Sequence, residues 1–170
     1  MKAADGQEFK VHKVILACRC IVLRAHLQHN TKECQNNIIE TSFDAEVLGE
    51  VLSFLYSGEA PNVHEIPERI LEAAEFYQLN DLKSLCEISL NKKLTIDNAI
   101  ETLQLADLYN ANKLKELTLE FIRSAPLEFI VKTEGWAKFE SPKLTKRILE
   151  YIVKDNVSVK TMNTQSQCET

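Results

Sequence analysis

The sequence predicts a mostly helical α+β protein: a small sheet near the N-terminus, a run of helices, and then an all-α extension built of helical hairpins. Three observations predict this fold class. Polar and apolar residues alternate over Gln7–Val11, the spacing of a half-buried strand. Apolar residues recur at helical intervals over Val47–Leu55. A pattern in Ala74–Leu85 returns 32 residues later, which is typical of stacked helical hairpins.

The N-terminal part contains two strand candidates with helices between them. The first strand, Gln7–Val11, leads into His12–Leu27, whose apolar positions fit two short helices with a break near Cys20. A polar stretch over residues 29–37 is typical of a loop. The second strand candidate is Ile38–Ile39. These elements predict a small sheet beside two short helices.

The next helix is marked at both ends. Ser42 or Asp44 can cap it by accepting hydrogen bonds from its free amides. Its apolar face covers Val47–Leu55, and Ser57-Gly58 supplies the permissive backbone that helix C-termini favour. The sequence therefore predicts one amphipathic helix between these signals.

The remaining chain predicts further helices and an internal repeat. The helices are Pro67–Tyr77, Leu82–Leu94, Asp97–Tyr109, Lys113–Ser124, Leu127–Val131 and Leu144–Val153. With an offset of 32, Ala74, Tyr77, Asn80, Leu82, Lys83 and Leu85 align with Ala106, Tyr109, Asn112, Leu114, Lys115 and Leu117. Each copy is a helix, a short turn and a second amphipathic helix. The polar stretch of residues 157–170 predicts a disordered tail.

Composition excludes several function classes. The apolar fraction of 45% indicates a folded protein, and the net charge of −5 lacks the basic stripe that nucleic acid requires. No apolar run approaches the length that spans a bilayer, and the N-terminus has no secretory h-region. Five cysteines without a secretory signal predict reduced thiols. We expect a protein of the nucleus, the cytoplasm or both.

No motif predicts catalysis. The sequence has no nucleophile elbow, no phosphate-binding glycine loop and no metalloprotease helix, so we expect no enzyme and no cofactor. The best metal candidates are Cys18, Cys20, His26, His29 and Cys34. A Cys-x-Cys pair on a helix points its sulfurs about 200° apart. Small apolar thiols of a core therefore explain these cysteines better than zinc does.

Several separated motifs resemble one family. The segment Asp5–Ala17, with Phe9-x-x-His12-Lys13-x-x-Leu16, resembles the BTB/POZ signature, and residues 54–58 resemble the family's helix-ending tyrosine and glycine. Residues 73–87 resemble its last helix pair. The hairpin that follows, with Gly135-Trp136, is similar to the BACK-type extension of speckle-type POZ proteins. The resemblance implies a BTB/POZ domain at 4–94, a BACK-like extension at 95–156 and a tail at 157–170.

What the resemblance implies is a substrate adaptor of a cullin-3 ubiquitin ligase, acting in protein ubiquitination and proteasomal degradation without catalysis of its own. The partner is the N-terminal region of cullin-3. The family's contact motif, an apolar residue, any residue and glutamate, aligns with Thr31, Lys32 and Glu33. The resemblance implies cullin contacts by Leu27, Thr31, Glu33 and Tyr56, with the hairpin of residues 97–124 completing the platform.

Three departures from the family pattern limit this expectation. The dimerising helix and first strand that normally precede Asp5 are missing, so we do not expect those elements to form a homodimer. The substrate-capturing MATH domain of speckle-type proteins is missing as well. Thr31 replaces the apolar anchor of the cullin motif. The alternative is a cullin-independent BTB interaction or oligomerisation module of a transcriptional or cytoskeletal assembly, which binds other BTB proteins.

Overall fold

The computed structural model describes the backbone of residues 1–28 and 38–165 and the side chains of residues 1–27 and 38–153. Within these ranges the chain is mostly helical, as predicted, and it divides into two compact units, Met1–Lys92 and Lys93–Thr170. The first contains α1 (Lys13–Arg19), α2 (Ile21–Gln28), α3 (Ala45–Ser57), α4 (Pro67–Phe76) and α5 (Asn80–Lys92). The second contains α6 (Ala99–Leu108), α7 (Asn112–Ser124), α8 (Leu127–Ile130), α9 (Glu134–Ala137) and α10 (Pro142–Gln165).

The predicted small sheet is not seen as strands in the described part of the chain. Two isolated bridges take its place, one antiparallel between Lys2 and Glu8 and one parallel between Lys2 and Glu40. Each bridge has Lys2 as one partner. A ladder needs consecutive pairs, and these two bridges are single pairs.

Backbone hydrogen bonds nevertheless join residues 1–4 to chain segments on both sides of them, although the sequence predicts no strand at residues 1–4. The amide of Phe9 donates to the carbonyl of Met1 at 2.7 Å, and the amide of Lys2 donates to Ile39 at 2.8 Å. The amide of Thr41 donates back to Lys2 at 3.0 Å. Residues 1–4 therefore lie between the two predicted strand segments and satisfy backbone groups of both.

The predicted break near Cys20 is confirmed, because α1 ends at Arg19 and α2 begins at Ile21. The buried thiol of Cys20 accepts from the amide of Leu23 and donates to the carbonyl of Tyr77, both at 3.4 Å. The first bond caps α2, which is the role that serine or threonine usually takes. The second ties α2 to the end of α4.

The predicted signals at the two ends of α3 are confirmed. The side chain of Asp44 accepts from the amide of Val47 at 3.1 Å, and this bond, with a smaller contribution from Arg69, lowers the pKa of that carboxyl. At the other end Gly58 has φ = 82°, and its amide donates to the carbonyl of Phe54. The apolar face of α3 is buried: Val47, Leu48, Val51, Leu52 and Leu55.

The internal repeat is a repeat of backbone geometry. In the α4–α5 hairpin Gln78 has φ = 55°, and in the α6–α7 hairpin Asn110 has φ = 53°. The amide one residue later bonds back into the preceding helix at 2.8 Å in both copies, to Ala74 and to Ala106. This arrangement is a left-handed helix end of the Schellman type, which lets the chain reverse into the second helix.

The second unit has its own apolar core. It consists of Ala99, Ile100, Leu103, Leu119, Ile122, Ile130, Leu144 and Ile148. The helix α9 was not predicted; it starts where the hydroxyl of Thr133 accepts from the amide of Trp136. Gly135 lies against α6, where an added Cβ would be 3.4 Å from Cγ of Glu101. The helix α6 begins at Ala99, two residues later than predicted, with Asn98 directly before it.

The last helix, α10, contains the predicted segment Leu144–Val153 and continues to Gln165. Its backbone thus enters the stretch predicted as a disordered tail, because extending an existing helix costs far less than starting one. Residues 166–170 lie outside the described part of the chain. In the described residues, no helix is both long enough and apolar enough to cross a membrane.

Candidate interaction surface

The structure describes two of the four predicted contact residues. Leu27 lies half-buried in the last turn of α2, and Tyr56 lies in the last turn of α3 with 42% of its surface exposed. Thr31 and Glu33 lie outside the described residues. The two that are described belong to the same compact unit but to different helices.

Tyr56 is exposed because of its position on α3. The helix buries one face, which ends at Leu55, so the next residue points away from the core. Two residues later Gly58 adopts the left-handed conformation and ends the helix. The ring of Tyr56 therefore stands at the rim of the first unit.

His12 holds the hydroxyl of Tyr56. The backbone amide of His12 donates to this hydroxyl at 2.8 Å, and the imidazole Nδ1 lies 3.0 Å from the same oxygen. The two ring centroids are 6.0 Å apart, with the planes tilted by 59°. In the described part of the chain, the side-chain hydrogen bonds and the ring contact of Tyr56 all go to His12. We call this arrangement the His12–Tyr56 clasp.

A cleft of about 690 Å³ lies beside the end of α3. Its wall is stiffened by Arg19, whose Nε donates to the carbonyl of Leu55 at 3.2 Å. The cleft is open to solvent and mixed in polarity. It is lined by Cys18, Arg19, Phe54, Leu55, Gly58, Gln78, Leu79, Asn80, Asp81 and Leu85.

Large apolar side chains are exposed on the helices of the first unit. Leu85 and Ile88 on α5 expose 36% and 53% of their surface, and Phe76 at the end of α4 exposes 52%. Of these three, Leu85 also lines the cleft. Clustered exposed apolar groups are typical of surfaces that contact other proteins. The loop after α3 is fixed by the buried carboxylate of Glu50, which accepts from the amide and side chain of Asn62.

Comparison with protein families decides what this unit is. A family model described as BTB/POZ domain matches residues 1–94. The chain belongs to the BTB/POZ family. BTB/POZ domains are protein-interaction modules and are generally not enzymes. The matched region contains α1 to α5, and with them the clasp, the cleft and the exposed side chains of α4 and α5.

The thiols of the BTB/POZ region differ in their surroundings. Cys18 is exposed, whereas Cys20 and Cys86 are buried. Burial raises the pKa of the Cys86 thiol to about 12, so this sulfur stays protonated at neutral pH. Of the zinc candidates, His29 and Cys34 lie outside the described residues. Among the residues whose placement is described, no group of three or more metal-ligating side chains comes together.

The second unit contains a partly buried ion pair that was not predicted from the sequence. Lys115 on α7 donates to Oδ1 of Asp107 on α6 at 2.7 Å, and Lys143 on α10 lies 3.2 Å from Oδ2. These bonds, that of Lys115 first, lower the pKa of Asp107. The signal was available, since Glu75 and Lys83 occupy the same two positions one repeat earlier.

Proposed function

We propose that the chain is a substrate-adaptor module of a cullin-3 RING ubiquitin ligase and acts in protein ubiquitination and proteasomal degradation. The observation that carries the proposal is the match of residues 1–94 to the BTB/POZ domain. Members of this family are protein-interaction modules and are commonly cullin-3 adaptors. The proposed partner is the N-terminal region of cullin-3.

The proposed contact residues are Leu27, Thr31, Glu33 and Tyr56. The exposed ring of Tyr56 supports this assignment, because aromatic side chains supply a large contact area at a low cost in conformational entropy. Leu27, in the last turn of α2, stands four residues before Thr31. An apolar side chain at position 31 would add about 1.5–3 kcal/mol on burial, so threonine there implies weaker binding than the family motif gives.

We further propose that residues 95–156 form a BACK-like extension of the speckle-type POZ kind. The support is the order of motifs in the sequence together with the hairpin of α6 and α7, which repeats the turn geometry of α4 and α5. Residues 4–94 would then be the BTB/POZ domain proper, and the protein would act in the nucleus, the cytoplasm or both. Homodimerisation through elements that precede Asp5 is not part of the proposal.

The proposed mechanism is positioning. An adaptor that binds cullin-3 and a substrate at once raises the effective concentration of a substrate lysine near the charged ubiquitin-conjugating enzyme. The adaptor itself makes and breaks no covalent bond. Its activity therefore depends on affinity and geometry alone.

The test is calorimetric titration of the chain with an N-terminal fragment of cullin-3. We expect binding that weakens by about tenfold in Glu33→Ala. It should tighten by roughly 10- to 150-fold in Thr31→Met, since each step of about 1.4 kcal/mol corresponds to a factor of ten. The control is Glu128→Ala, which removes an exposed carboxylate outside the matched region and should leave the affinity unchanged.

The absence of binding in both the folded parent and Thr31→Met would contradict the adaptor proposal. In that case the replacement of the apolar anchor by Thr31 favours the second function, a cullin-independent BTB module of a transcriptional or cytoskeletal assembly. Sedimentation of the chain alone and with other BTB proteins would then test for self-association and mixed complexes.

A further inference from the structure

The His12–Tyr56 clasp joins two residues that are 44 positions apart in the sequence and lie at the ends of different helices. His12 directly precedes α1, with an extended backbone at φ = −95° and ψ = 113°. A serine or aspartate at such a position usually turns its side chain onto the first turn of its own helix. The imidazole makes no such capping bond, so it is available to Tyr56.

In one tautomer of the imidazole, the clasp uses the Tyr56 hydroxyl both as a donor and as an acceptor. When the imidazole carries its proton on Nε2, Nδ1 accepts the proton of the Tyr56 hydroxyl at 3.0 Å. The hydroxyl oxygen then accepts the backbone amide of His12 at 2.8 Å. The hydroxyl is thus both donor and acceptor toward a single residue, which fixes the phenol oxygen in space.

Fixing this oxygen fixes the side chain. An exposed tyrosine in the last turn of a helix can rotate about two side-chain bonds, and a binding partner must stop both rotations. A ring whose far end is already held has less freedom to lose when the partner arrives. We propose that His12 is a positioning residue that holds the Tyr56 ring in place for the binding partner. The contact between Tyr56 and that partner rests on the proposed function.

The first test needs no partner. The chain has four tyrosines, and ring-13C-labelled tyrosine gives each a separate NMR signal, with that of Tyr56 identified in Tyr56→Phe. We expect His12→Ala to shift or broaden the Tyr56 signal. His12→Asn should return the Tyr56 signal most of the way to its position in the parent, because an asparagine oxygen can take the place of Nδ1 as acceptor. Lys10→Ala, at an exposed neighbouring position, is the matched control.

A Tyr56 signal that is the same in the parent and in His12→Ala would overturn the inference whether or not cullin-3 binds. If all four tyrosine signals move together, the substitution has altered the fold. That outcome also rules out a specific positioning role for the imidazole.

The second test is a double-mutant cycle against the N-terminal cullin-3 fragment. Because one such hydrogen bond changes an equilibrium by roughly 3- to 10-fold, we expect His12→Ala and Tyr56→Phe each to weaken binding by about that factor. The double variant should lose no more than either single variant, since both remove the same interaction. Losses that multiply, or a His12→Ala variant that binds as the parent does, would show that His12 does not act through Tyr56.

The two tests separate this inference from the proposed function. If neither the parent nor Thr31→Met binds the fragment, the adaptor proposal fails. The tyrosine spectra then still decide whether His12 holds the Tyr56 ring in position. If the fragment binds and the cycle shows independent losses, the adaptor proposal stands and the positioning role fails.

Discussion

The ammonium of Lys115 lies 2.7 Å from Oδ1 of Asp107, across the turn that joins α6 to α7. Their side chains expose only 10% and 22% of their surface. One repeat earlier, Lys83 lies 2.5 Å from a carboxylate oxygen of Glu75 across the turn between α4 and α5. Each hairpin is therefore closed by a partly buried lysine and carboxylate eight residues apart.

Replacing Asp107 by asparagine should destabilise the second unit. The change keeps the shape of the side chain but leaves the ammonium of Lys115 without its charged acceptor, at a cost of about 1.5–3 kcal/mol. Urea unfolding measures this as a lower midpoint with an unchanged slope. The control is Glu134→Gln, which removes an exposed ion pair with Lys138 and should leave the midpoint unchanged. Equal effects of the two variants would contradict the prediction.

The same carboxylate should make stability depend on acid. The pKa of Asp107 is lowered in the folded state, first by Lys115. The folded protein therefore binds a proton here less readily than the unfolded chain does. Its contribution is complete above the ordinary value of 3.8 and is lost as the pH falls below it toward the lowered folded value. Urea midpoints from pH 6 to pH 3 should fall more steeply for the parent than for Asp107→Asn.

Two glycines, one inside α3 and one directly after it, should respond to alanine with opposite signs. Gly58 has φ = 82°, a conformation that costs an L-residue about 1–2 kcal/mol, so Gly58→Ala should lower the unfolding free energy by that amount. Gly49 lies inside the helix, and an added Cβ would have no atom within 4 Å beyond its chain neighbours and the adjacent helix backbone, so Gly49→Ala should raise the unfolding free energy by about 0.5–1 kcal/mol. Thermal unfolding followed by circular dichroism gives both signs. If both alanine substitutions destabilise the protein, the added methyl group at Gly49 must meet neighbouring atoms, which would contradict the prediction.

The described cysteines should differ strongly in reactivity. At pH 8 a thiol with the pKa of about 12 found for Cys86 is ionised to about one part in ten thousand, and burial shields it further. Mass-spectrometric mapping of iodoacetamide labelling should show Cys18 modified first and Cys86 modified only on unfolding. Labelling in concentrated urea, where both should react alike, is the control. Rapid labelling of Cys86 in the native state would contradict the burial.

The thiol of Cys20 should be replaceable by a hydroxyl but not by a methyl group. Cys20→Ala removes both the cap on Leu23 and the bond to Tyr77, at a cost of about 0.5–2 kcal/mol. Cys20→Ser can keep both bonds and should remain closer to the parent in urea unfolding. Cys18→Ala, at an exposed position two residues earlier, is the matched control. A serine variant as unstable as the alanine variant would contradict the capping role.

Much of the fold was predictable because helix signals are local. Residues within a few positions of each other set four of the predicted features. These are the break at Cys20, the cap at Asp44, the helix end at Gly58 and the repeated helical hairpin with its turn. The predicted small sheet was wrong in the described residues, where two isolated bridges at Lys2 take the place of a ladder. Of the candidate site, Leu27 and Tyr56 have described positions, and their contact with a partner stays a prediction.

The family, the order of the helices and the two hairpins follow from the sequence alone, since they depend on motifs and on a periodicity that neighbouring residues set. Which distant groups meet depends on the tertiary structure. His12 and Tyr56 are 44 residues apart, and Lys2 reaches Glu40 over 38. Such contacts depend on how the helices pack and on the path of the backbone between them, and no local pattern in the sequence encodes that path.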